Sequence, residues 1–193
     1  RIRARFDDDL AKEFKRQLDA GEVYLNDSTG LSIYCNAISL YPFLLNGLKD
    51  LGGECDAPKH LSSFCGGYVN LVYAISAQQS GALATVGFLM CFDYFARKDY
   101  GDNYLETAKD KITAELQGVV YSINQPAGSR GYQSNFLNWT IFDKYYFNAL
   151  YENFVFPDMT KPDYESVNKL QKFFMKWFKK IYSALKASTG FFF

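Results

Sequence analysis

Histidine is nearly absent from this sequence: of 193 residues, only His60 is one. The four cysteines, Cys35, Cys55, Cys65 and Cys91, form no C-x-x-C pair. Together these shortages exclude the usual zinc-ligand spacings, and no metal site is expected. Net charge is missing too, with 21 Lys+Arg against 21 Asp+Glu. That balance supplies no general attraction to nucleic acid or anionic lipid, so neither is expected as a partner. A nucleotide substrate stays open, because its phosphates need a local site and not a global field. No run approaches the roughly 18 apolar residues of a membrane span. The opening Arg1-Ile2-Arg3-Ala4-Arg5 has no apolar stretch behind it to make a secretory leader. Reduced thiols and a cytoplasmic location are the expectation. An initiator methionine is also lacking, which fits a processed or excised piece.

What is abundant is aromatic. Fifteen Tyr and eighteen Phe help bring the apolar share to 48%, enough for one packed domain. Asp7-Asp8-Asp9 before Leu10, Phe14 and Leu18 predicts a capped amphipathic helix that Gly21 ends. Val23-Tyr24-Leu25 and the turn Asn26 to Gly30 lead into a β-compatible run, Leu31 to Leu40. Pro42 suits a short helix closed by Gly52-Gly53. Leu61, Phe64, Tyr68, Leu71, Val72 and Ile75 recur at helical spacing. Gly66-Gly67 inside that helix weakens it and admits a neighbouring backbone. Ser80-Gly81-Ala82 breaks the pattern. Helices are predicted again at about 87–97 and 104–120, then near 145–151 and 164–186. The loop from Asn124 to Gln133 precedes a β-compatible run, Phe136 to Phe142. Strands alternating with helices give an α/β reading.

Five segments, taken in order, resemble the anaerobic (class III) ribonucleoside-triphosphate reductases. They are Tyr24 to Cys35; Pro58 to Phe64 continuing through Val69-Asn70 to Ser76-Ala77-Gln78-Gln79-Ser80-Gly81-Ala82; Phe88-Leu89-Met90 with Asp93-Tyr94-Phe95; Ile123 to Ser134; and Phe142 to Phe147. The resemblance covers roughly Val23 to Asp158. It implies a ten-stranded glycyl-radical-enzyme barrel, of which this chain is the first half with long interface helices. Residues 1–193 would be a single partial domain, with 179–193 departing from the family. It further implies reduction of ribonucleoside triphosphates to deoxyribonucleotides by glycyl and thiyl radical chemistry, with formate or a dithiol as reductant. Deoxynucleotide or ATP effectors, a homodimer, a radical-SAM activating enzyme and a C-terminal zinc site belong to the parent enzyme. No cofactor is expected in this chain, because the radical cysteine and glycyl loop are not in it.

Cys35 matches the family's first-strand cysteine, which faces the substrate ribose and can donate a hydrogen; the bland reading is a small buried hydrophobe. Cys55, Cys65 and Cys91 are expected to be inert. Ser76, Gln78, Gln79, Ser80, Gly81 and Ala82 either line the substrate pocket or form a polar helix end with a glycine cap. Gln125, Gly128, Ser129, Arg130, Gly131 and Gln133 would form the specificity loop that relays effector identity, or an ordinary connector. Arg130-Gly131-Tyr132 superficially matches a glycyl-radical signature but sits far from where that signature belongs. His60 and Asn70 are effector or interface candidates; capping or packing at the helix start is the competing role for His60. Asn26 and Asp27 either orient the Cys35 strand or make a simple turn. The alternatives to a reductase are a non-catalytic nucleotide-binding or dimerisation fragment and a purely structural helical protein.

Overall fold

The computed structural model describes residues 2–24, 33–49, 54–125 and 134–189. The chain divides into two compact units, residues 1–32 and 33–193. In the first, α1 (Ile2–Arg5) precedes α2 (Asp8–Asp19). The Asp7 carboxylate accepts from Leu10 N at 2.7 Å, and Gly21 follows the helix at a φ of 72°. Both ends of α2 are therefore the ones its sequence predicts. Its surface is tied by Arg16, which pairs with Glu13 and Glu22, each at 2.9 Å.

The second unit is built on a parallel sheet of β1 (Asn36–Ser39), β2 (Leu83–Val86) and β3 (Leu137–Trp139), in that spatial order. Asn36 pairs with Leu83, and Leu83 with Leu137. Two crossovers connect the strands. The first carries α3 (Tyr41–Asn46) and α4 (Leu61–Ser76); the second carries α5 (Phe88–Tyr100), α6 (Tyr104–Thr107) and α7 (Lys109–Ile123). After β3 come α8 (Lys144–Tyr151) and α9 (Tyr164–Thr189). Mixed helix and strand is the predicted class; three strands are all the sheet has among the described residues.

Several elements differ from their sequence reading. The central strand β2 was not expected at all. Its four residues are too few to show a period, and they lie directly before the Gly87 that opens α5. The short helix at Pro42 stops at Gly47, whose φ of 70° ends it well before Gly52. A Cβ at Gly47 would run into the Cys55 carbonyl, which accepts from Leu48 N at 2.9 Å. The predicted 104–120 helix is broken at Ala108, with φ −128°. This break lets Tyr104 bury its hydroxyl on Asp93, at 2.5 Å, while Ile112 and Leu116 turn to the core. Inside α4, Gly67 admits a side chain and not a backbone: a Cβ there would sit 2.7 Å from Phe43 Cζ.

Aromatics fill the core, as their abundance predicts. Phe64 lies against Phe43, Tyr68, Phe88 and Phe95, with the tightest pair at 5.0 Å. Phe88 stacks on Trp139 at 4.2 Å and 11°. Tyr68 Oη takes the Trp139 Nε1 hydrogen at 2.6 Å and shares another with Thr85 Oγ1 at 2.7 Å. Those bonds satisfy the polar atoms of the Tyr68, Thr85 and Trp139 side chains between α4, β2 and β3.

Candidate active site

Parallel pairing repeats its residues on one face in every strand. Leu83, Thr85, Leu137, Trp139 and Ile38 share the face that the helices cover, and Leu83 and Thr85 are fully buried. Ala37, Ser39, Ala84, Val86 and Asn138 share the other face, where none is buried. A parallel sheet with one open face is unusual, because such sheets are normally covered on both. The open face carries mostly small side chains, which leaves room for something to lie on it.

Cys35 stands at the start of this face, one residue before β1, and its side chain is exposed. Ile33 bridges Gln79 in parallel, yet Asn36 pairs with Leu83. Two residues on the β1 side thus oppose three on the β2 side. The extra residue makes a bulge, a device that re-aims side chains near functional sites. Ser80 N donates to Ile33 O at 3.2 Å and Gly81 N to Tyr34 O at 2.5 Å. The next donor, Ala82 N, finds the Cys35 thiol sulfur at 3.3 Å. A Cβ on Gly81 would run into the Tyr34 carbonyl oxygen and lie 2.5 Å from that sulfur. Glycine is thus required where the thiol folds back across the bulge, and a backbone N–H holds the sulfur in place.

The remaining expected residues divide. Ser80, Gly81 and Ala82 come together with Cys35 through these bonds. Gln78 is exposed and donates to its own helix at Ala74 O, 3.1 Å. Ser76 and Gln79 are buried, at 0% and 8% exposure, with Ser76 Oγ and Gln79 Nε2 unpartnered. Gln125 is exposed at the end of α7; Gly128, Ser129, Arg130, Gly131 and Gln133 lie outside the described residues, as do Asn26 and Asp27. Among the described residues, no bond joins His60 or Asn70 to Cys35. His60 precedes α4, whose 16 residues put Ser76 about 24 Å away. There its Nδ1 pairs with Asp99 at 2.9 Å, and the same carboxylate accepts Leu61 N at 2.7 Å. Asn70 is exposed in mid-helix.

Sequence reasoning missed the opposite end of the open face. A groove of about 290 Å³ lies there, lined by Ala37, Ser39, Tyr41, Val86, Met90 and Tyr151 among others. It sits where β2 turns into α5 at Gly87, whose φ of 84° needs glycine and whose Cβ would meet Tyr151 Oη at 2.8 Å. Crevices at the carboxyl ends of parallel strands are the usual ligand sites of open α/β sheets. Gly87 after an apolar run was the available signal.

Cys55 is exposed like Cys35, whereas Cys65 and Cys91 are buried. Burial pushes Cys91 up to about 12 and raises Cys65 as well, so both stay protonated and unreactive. Burial likewise raises the Asp93 carboxyl, against the Ser166 and Tyr104 hydroxyls that donate to it. Among the described residues no cluster of three His, Cys, Asp or Glu could hold a metal ion. No described helix is long and apolar enough to cross a membrane.

Solved structures share this fold. The anaerobic ribonucleotide reductase from Thermotoga maritima with dATP bound in the specificity site matches at a TM-score of 0.75 and 31% identity, over 93% of this chain and 31% of that one. The same enzyme with citrate in the active site matches at 0.76 and 29%, over 100% of this chain and 34% of that one. Its complex with dATP and CTP matches at 0.76 and 31%, over 93% and 31%. The class is thus that of the anaerobic ribonucleotide reductases, of which this chain spans about a third of the length. No curated protein matches. The family model described as anaerobic ribonucleoside-triphosphate reductase matches residues 3–193, and the chain belongs to that family.

Proposed function

We propose that this chain forms the first half of a ten-stranded reductase barrel that converts ribonucleoside triphosphates to deoxyribonucleotides. The carrying observation is the seat of Cys35, an exposed thiol held by Ala82 N–H on a bulge that only glycine permits. Replacing a ribose 2′ hydroxyl by hydrogen consumes two electrons and two protons and releases water; formate or a dithiol is the source of the electrons. In the assembled enzyme a glycyl radical outside this chain supplies the radical chemistry. The residues here bind and orient. Cys35 Sγ holds a hydrogen at the ribose face, and the small residues Ala37, Ala84 and Ser39 leave space for the sugar. Ser80, Gly81 and Ala82 line the substrate beside it. The segment Gln125 to Gln133, with Gly128, Ser129, Arg130 and Gly131, serves as the specificity loop. His60 and Asn70 belong to the effector and dimer surface of α4. The partners are deoxynucleotide effectors, the remaining barrel, a second copy and a radical-SAM activase, in a reducing cytoplasm that suits four free cysteines.

The test is Cys35→Ala in the intact protein that carries this chain, assayed anaerobically for deoxynucleotide formation. Reduction is expected to fall by about three orders of magnitude or more while nucleotide affinity is kept. Undiminished reduction would remove Cys35 from the chemistry. Nucleotide binding with no reduction by the parent sequence would instead assign a binding or dimerisation module.

A further inference from the structure

Among the described residues, the buried side-chain polar atoms without a partner belong to Ser76, Gln79 and Asn135. Native interiors leave few such atoms, because each loses its hydration without gaining a partner. These fall at one place. Tyr68 of α4 bonds Thr85 of β2. Ser76 lies eight residues further along α4, about 12 Å. The chain leaves α4 at Ser76 and enters β2 at Leu83, so helix end and strand start adjoin. The same length back along β2 from Thr85 is between three and four residues, which reaches Gly81 and Ala82. Gln79 lies three residues after Ser76 and is 8% exposed, with its N–H directed to Ser76 O at 3.5 Å. Asn135 lies two residues before the Leu137 that pairs with Leu83. It is 7% exposed while its neighbour Phe136 is 57% exposed, so Asn135 turns to the covered side of the sheet. All three residues therefore ring the bulge from behind, opposite the open face.

The atoms are complementary but do not meet. Gln79 Nε2 and Asn135 Nδ2 donate, Asn135 Oδ1 accepts, and Ser76 Oγ can do both. A bridging water needs two to four such partners, and a polar enclosure of this kind is where one resides. We infer that Ser76, Gln79 and Asn135 enclose a buried water site behind Gly81, and that Asn135 is through it a positioning residue for the Cys35 seat. Asn135 reaches the seat along the backbone as well, since Leu83 N donates to Phe136 O at 2.8 Å and Ala82 holds the thiol. The importance of that seat rests on the reductase reading; the water site does not.

The experiment compares Asn135→Leu and Gln79→Met, apolar side chains of similar shape, with the parent in the intact protein. Removing a polar group that truly lacks a partner is neutral or stabilising, whereas removing one bonded to buried water leaves others unsatisfied. Both variants are expected to lower the Tm, and Asn135→Leu to change the rate of Cys35 alkylation by iodoacetamide at least threefold, read by mass spectrometry. An unchanged or raised Tm for either variant overturns the water site. A lowered Tm with unaltered Cys35 alkylation overturns the positioning role. Should Asn135→Leu fail to fold, Gln79→Met carries the sign of the Tm change and Ser76→Ala the alkylation. Neither readout needs ribonucleotide reduction, so failure of the reductase reading is seen separately, as absence of turnover in the parent.

Discussion

A single missing methyl group separates two arrangements at Gly81. With glycine the Cys35 sulfur rests on Ala82 N–H; with alanine the new Cβ would occupy space 2.5 Å from that sulfur. Gly81→Ala is therefore expected to cost about 1–3 kcal/mol of stability and to move the thiol. A urea series will read the first effect, and peptide-resolved alkylation the second. An unchanged alkylation rate would sink the argument. Asp93 offers a pH test. Burial raises its carboxyl above the ordinary 3.8 in the native state, so the native state binds more protons than the unfolded one just above that pH. Its contribution is then complete at low pH and is lost as pH rises through the raised value. Asp93→Asn keeps an oxygen for Tyr104 and Ser166 and should remove that loss, which urea midpoints measured at pH 4, 5, 6 and 7 will reveal. The family pattern points to Cys35 but not to its seat: nothing in Ser80-Gly81-Ala82 says which strand residue folds over the glycine.

At the scale of elements, legibility followed local chemistry. The ends of α2 and the start of α8 were readable because Asp7 and Asp143 cap them, accepting Leu10 N and Tyr146 N at 2.7 Å. The start of α4 was only half readable. Ser63 closes it from within, accepting His60 N at 3.1 Å. The stronger acceptor is Asp99, 38 residues away on α5, which no local pattern announces. Asp99→Ala should cost about 0.5–2 kcal/mol, as loss of a helix cap does. Equilibrium unfolding tests this, and Asp99→Asn should recover part of the loss by keeping an acceptor for Leu61 N. The strand β2 escaped because Leu83-Ala84-Thr85-Val86 gives a buried central strand no contrast between its faces. The strand register escaped for a different reason: it is a relation between two segments, and neither holds it alone.

For the unit spanning residues 33–193, the decisive property is asymmetry across the sheet. One face meets a core of stacked aromatics; on the other, Ala37, Ser39, Ala84, Val86 and Asn138 are left exposed or half-buried by the described elements, with Met90 and Tyr151 reaching only its far end. Burial of that face by the rest of a barrel is expected to slow amide exchange in β1 and alkylation of Cys35. The chain by itself should show concentration-dependent association in sedimentation. A monomeric, cooperative unfolding transition at low concentration, unaffected by the remaining barrel, would count against this. Sequence alone supplied the family and the half-barrel expectation, yet the open face became visible only when registry assigned each side chain to a side.

The odd residue between Gln79 and Leu83 has a final consequence. Excising Gly81 would equalise the two offsets and let β1 and β2 zip without interruption from Ile33 to Ser39. The shortened protein should be harder to unfold, with Cys35 displaced from Ala82 N–H, because a continuous ladder has no vacancy for sulfur. The irregularity is thus one residue of sheet continuity given up for the position of one thiol.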